Sequence, residues 1–92
     1  MQIYSAIITK NPEGFAEAVE REFPSNFLKV SPNAWYLAGQ GTAQEVATRL
    51  GMVKTDTYRP TVSGIINTVG GYYGFAGVNI WEWLAAKQQA DG

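Results

Sequence analysis

The sequence predicts an α+β fold: an antiparallel sheet built in the order β-α-β-β-α-β, with a further helix at its C-terminal end. Three observations predict it. β-Branched and aromatic runs alternate with segments of helical periodicity, two of the runs are joined by only a few turn-forming residues, and capping signals stand at the helix starts.

Residues 2–9, Gln-Ile-Tyr-Ser-Ala-Ile-Ile-Thr, form the first predicted strand. Ile3, Ser5 and Ile7 point one way and Tyr4, Ala6 and Ile8 the other. Both sets are largely apolar, as in a central strand covered on each side. Asn11-Pro12-Glu13 then starts a helix: Asn caps, Pro suits the first helical position, and Glu complements the dipole. Phe15, Val19 and Phe23, with Ala18, make its apolar face, and Pro24-Ser25-Asn26 ends it. Phe27–Val30 and Ala34–Leu37–Ala38 are two strands, and the short Ser31-Pro32-Asn33 link makes them an antiparallel hairpin. Thr42-Ala43-Gln44-Glu45 has the spacing of a capping box; the helix it opens turns Val46 and Leu50 inward and stops at Gly51. Residues 52–60 show no periodicity. Residues 61–69 are a strand, weakened as such by Gly64 and Asn67. The last helix is expected from Asn79, where Asn79-Ile80-Trp81-Glu82 repeats the capping-box spacing, to about Gln88.

This succession is the split-βαβ, or ferredoxin-like, plan, with the first and third strands in the middle of the sheet. No repeat, linker or low-complexity segment interrupts residues 1–92, so one domain is expected. The first two helices cover one face and leave the other open. Tyr4 and Ile8, with Tyr36 or Trp35, are expected on that open face. Either the C-terminal helix, through Ile80, Trp83 and Leu84, or a second copy of the chain is expected to cover it.

Composition narrows the function. Charged residues make up 16% of the chain and apolar residues 46%. Charge is scarce against the roughly 25% usual in globular domains, which favours self-association or a partner. The net charge is −1 with no basic run, an argument against nonspecific binding to a phosphate backbone. Lys10, Lys29, Lys54 and Arg59 read as scattered. Without cysteine there is no disulfide or thiolate chemistry. Without histidine the usual neutral-pH acid–base group and the commonest nitrogen ligand for metals are missing, so neither triad catalysis nor a structural zinc site is expected. No cofactor is implied. The first residues carry no cationic leader, and no run approaches the ~18 apolar residues of a membrane span; a cytoplasmic protein with no membrane partner is expected. Glu13, Glu17 and Glu20 share a helix face that could hold a hard cation, although a solvated face explains them as well.

The candidate site is Gly70-Gly71-Tyr72-Tyr73-Gly74-Phe75-Ala76-Gly77 with the helix beyond it. It matches neither G-x-G-x-x-G nor a P-loop, and Glu82 in the first turn of the helix opposes an anion there. One reading has the glycines permit a tight crossing while Tyr72, Tyr73 and Phe75 pack on the sheet. The other makes Tyr72, Tyr73, Phe75 and Trp81 the apolar anchors of a contact surface. Trp81 and Trp83 lie roughly 200° apart around a helix, so both cannot face one core. If Trp83 packs inward, Trp81 needs another cover.

The expected function is therefore a small non-catalytic interaction domain, binding itself or another protein as a homo-oligomer, adaptor or inhibitor. One alternative is a single-strand nucleic-acid binder stacking bases on Tyr4 and Tyr36. The other is a small dimeric enzyme of ferredoxin-like plan, without His or Cys catalysis, with a pocket between sheet and helices lined by Tyr, Asn67 and Ser63.

Overall fold

The two-residue alternation of the first strand sets the architecture, because each of its faces receives a different cover. The structure is a computed structural model and describes residues 1–89. Its elements are β1 (Gln2–Lys10), α1 (Pro12–Glu22), β2 (Phe27–Ser31), β3 (Ala34–Gly39), α2 (Ala43–Arg49), β4 (Ser63–Val69) and α3 (Val78–Gln89). The four strands make one sheet in the order β2-β3-β1-β4, every neighbouring pair antiparallel. β1 and β3 thus hold the middle. No helix among the described residues is long and apolar enough to cross a membrane.

Tyr4, Ala6 and Ile8 of β1 join Trp35 and Leu37 of β3 and Ile66 of β4 in the main core, beneath Phe15, Ala18 and Val19 of α1 and Val46 of α2. Phe15 meets Trp35 edge-on, with ring centroids 5.4 Å apart. Trp35 satisfies its indole N–H on the Pro32 carbonyl at 3.2 Å, so the hairpin turn supplies the partner that a buried indole requires. Among the described residues the buried set is wholly apolar.

Local signals account for the helix starts. Asn11, at φ 61°, caps α1 by accepting from the Gly14 N–H at 3.1 Å, with Pro12 following. In α2 the Thr42 N–H donates to Glu45 Oε1 at 2.8 Å while the Glu45 N–H donates to Thr42 Oγ1 at 3.1 Å, closing the capping box. α3 begins at Val78, one residue before its expected start, which puts Asn79 inside the first turn instead of in front of it. Gly64 has a packing reason. A Cβ there would lie 2.5 Å from the Ile7 carbonyl oxygen, so β4 can press against β1 only without a side chain at this position.

The assignment of faces corrects one expectation. Tyr4 and Ile8, expected on the open face, are on the helix-covered one, as is Trp35. The register sets Ser5 opposite Tyr36 and Asn67, so the open face carries Ile3, Ser5 and Ile7, with Tyr36 from β3. Alternation sorts a strand into two sets, and the set of Tyr4, Ala6 and Ile8 is the one that meets α1 and α2.

α3 crosses the open face. Leu84 is buried, Ile80 and Trp83 are half-buried, and Trp83 stacks on Tyr36 with centroids 6.4 Å apart. Lys87 Nζ ties the helix to Asn26 Oδ1 at 2.7 Å. The cover is incomplete: Ile7, Val30 and Ile65 remain 55%, 45% and 61% exposed.

Candidate functional site

The segment from Gly70 to Gly77 joins β4 to α3 without helix or strand of its own. A Cβ at Gly70, Gly71 or Gly74 would meet nothing within 4 Å. No backbone crosses closely there, which corrects the tight-crossing expectation. These glycines leave the strap without side chains to pack, and its rings separate into two kinds.

Tyr72 folds back. Its hydroxyl donates to Gln88 Oε1 at 3.1 Å, and its ring lies against Trp81 with centroids 5.7 Å apart. Tyr72 and Trp81 are therefore brought together on the outer side of α3, each half-buried. Tyr73 and Phe75 do the opposite: their relative exposures are 101% and 104%, so neither ring is covered by any described residue. The expectation that these two pack on the sheet is corrected as well. From Pro60 to Trp81 the sequence contains no charged residue, so strap and helix start form one neutral surface.

Beside α3, on the uncovered part of the open face, lies a groove of about 210 Å³. Ser5, Ile7, Val30, Ala34 and Tyr36 line it, together with Ala6 and Trp35 of the same strands, and none of these is charged. A closed apolar cavity of ~150 Å³ is large enough to admit benzene, so a groove of this size admits a phenyl or phenol ring.

The residues of the other readings are dispersed. Tyr4 is fully buried and its hydroxyl donates to the Gly41 carbonyl. Burial pushes its pKa up, the Glu45 carboxylate adds to this, and Arg49 opposes it. Tyr4 therefore offers no face to a base, and Tyr36 stands on the opposite side of the sheet beneath Trp83. Asn67 is exposed on the open face and Ser63 lies at the start of β4, so the two do not share an internal pocket. Glu13, Glu17 and Glu20 are exposed, and no group of three metal-ligating side chains occurs among the described residues. Glu45 has its carboxyl held below the ordinary range, first by the Thr42 backbone N–H and then by the Thr42 side chain.

One grouping escaped the sequence reading. Lys10, far in the chain from Lys54 and Arg59, lines a single cleft with them where β1 ends and β4 begins. The pairing of Lys10 with Ser63 creates that neighbourhood, and only a correct β1–β4 register would have revealed it.

No protein-family model, curated protein or solved structure matches this chain.

Proposed function

We propose that this chain is a ferredoxin-like domain that works through protein contact, with the strap and the outer side of α3 as its binding surface. The observation that carries the reading is the complete exposure of Tyr73 and Phe75 on a neutral strap. Two uncovered rings side by side lose contact with water when a partner covers them, and aromatic anchors of this kind dominate binding energies. The plan is supported by the central position of β1 and β3 and by the packing of α1 and α2 on the same side of the sheet.

A second copy is the partner that fits best. The same chain carries both the free rings and an uncharged groove able to take one, so two copies related by a two-fold axis can exchange them reciprocally.

Sedimentation velocity of the wild type and of a Tyr73→Ala/Phe75→Ala variant tests this. Each truncated anchor is expected to weaken association by about 2 kcal/mol, roughly thirtyfold, while thermal stability of the monomer changes little. A wild type that remains monomeric at high concentration removes the second-copy reading. Association that is equally strong in the variant removes the strap.

A further inference from the structure

The cationic side chains fall into two sets. Arg21 and Arg49 pair with Glu22, at 3.1 and 3.9 Å. Lys29 Nζ lies 5.6 Å from the centroid of Trp35, and Lys87 is bonded to Asn26 at 2.7 Å. The remaining cations, Lys10, Lys54 and Arg59, have no acidic, aromatic or hydrogen-bonding partner among the described residues. These three line one cleft of about 400 Å³, with Met52, Pro60 and Val62 as its apolar wall. Among the described residues no Asp or Glu lines it. In a chain of net charge −1, the cations left without a partner have all been gathered at one place.

The cleft is held in shape by local bonds. Residues 50–62 form a connection without helix or strand, longer than most connections in compact domains. Within it the Thr55 N–H donates to the Tyr58 carbonyl at 3.0 Å, the Tyr58 N–H to Thr55 Oγ1 at 3.1 Å, and the Tyr58 hydroxyl to the Gly51 carbonyl at 2.9 Å. Lys54 and Arg59 sit at either end of this turn. Lys10 faces them from the end of β1, where the register shifts between Ile8 and Lys10.

We propose that this cleft binds a small organic phosphate. Like charges gathered without a counter-charge repel one another, and an anion bound among them relieves that repulsion. The Arg59 fork is suited to two oxygens of one phosphate, and the lysines act as point charges on the others. A phosphate monoester carries about −1.5 to −2 at neutral pH, which matches three cations better than a single carboxylate does. The cleft lies within the ~300–1,000 Å³ usual for small-ligand sites, and Met52, Pro60 and Val62 give an organic body apolar surface to lie on. This site is separate from the strap surface and does not depend on it.

Amide NMR titration of the whole chain at low salt, with phenyl phosphate, inorganic phosphate and benzoate as probes, tests the assignment. Phenyl phosphate should shift Lys10, Lys54, Arg59 and Gly64 saturably. It should bind more tightly than inorganic phosphate, and about tenfold more tightly than benzoate, the scale of one charge-assisted bond. Arg59→Gln and Lys54→Gln, both exposed positions, should each weaken it by about tenfold, while Lys29→Gln should not. Shifts spread over all cations without saturation, or unaffected by Arg59→Gln and Lys54→Gln, would overturn the site. Benzoate binding as tightly as phenyl phosphate would overturn the phosphate. A glutamate-rich hexapeptide binding more tightly than phenyl phosphate would overturn the small ligand in favour of an acidic protein segment.

Discussion

Leu84→Ala should release α3 from the sheet without unfolding the sheet. Leu84 is the one residue of α3 that is fully buried, at 2% exposure; the other attachments are the Trp83–Tyr36 stack and the Lys87–Asn26 bond. Leucine-to-alanine changes at buried sites cost 2.7–5.0 kcal/mol in one well-studied series, and a helix lying on one face can partly close the gap, so the lower end, about 3 kcal/mol, applies. At 1.4 kcal/mol per tenfold, that raises the undocked population by roughly a hundredfold. The sheet's main core, on its other face, is untouched by the change. Native-state hydrogen exchange separates the two units: protection in Val78–Gln89 should fall by about that factor while β1 and β3 amides stay within a few-fold. Equal losses in α3 and in the central strands would refute the idea that α3 is a separately docked cover. An unchanged α3 would show that Leu84 does not anchor it.

Other substitutions and conditions test neighbouring parts of the account. Gly64→Ala should destabilise the fold by about 1–3 kcal/mol in urea denaturation, because its Cβ would meet the Ile7 carbonyl oxygen at 2.5 Å. The lowered pKa of Glu45 contributes stability that is present above the ordinary carboxylate pKa and lost as pH falls through the lowered value; Glu45→Gln should flatten the acid limb of a melting-temperature profile, and an unchanged limb would contradict this. For Tyr4 the sign is reversed. Its raised pKa makes a contribution that is whole below the ordinary tyrosine value and lost as pH climbs through the raised one, so Tyr4→Phe should cost about 0.5–1.5 kcal/mol at neutral pH and less once the Tyr4 phenol ionises.

Much of the fold is legible in local chemistry. Asn11-Pro12 and Thr42-x-x-Glu45 cap their helices as expected, and the Ser31-Pro32-Asn33 link fixes a hairpin between β2 and β3. What stayed hidden is what depends on contacts distant in sequence. Ile3 and Tyr4 are neighbours that are both buried, one on each face, and only the residues brought up by α1 and α2 decide which of them faces the main core. Gly64 and Gly70 are the same residue type in adjoining segments, yet one permits close packing of strands and the other stands in open space. Of the site residues, Trp81 behaves as its helical spacing from Trp83 requires, with the two indoles against different partners. Tyr72 supplies part of the cover that Trp81 needed, which left Tyr73 and Phe75 as the free rings. The grouping of Lys10 with Lys54 and Arg59 could not be seen in spacing, since it takes the β1–β4 pairing and the path of the connection before β4 to bring them to one cleft.

The most direct measurement is an intermolecular NOE experiment on a mixed sample, one half with labelled aromatic rings and the other with labelled isoleucine and valine methyl groups. Contact between Phe75 or Tyr73 of one copy and Ile7, Val30 or Ile65 of another is the result expected from a chain that carries both exposed rings and an uncharged groove. An associated sample in which those methyl groups see no foreign ring, or a sample that stays monomeric at millimolar concentration, would contradict it.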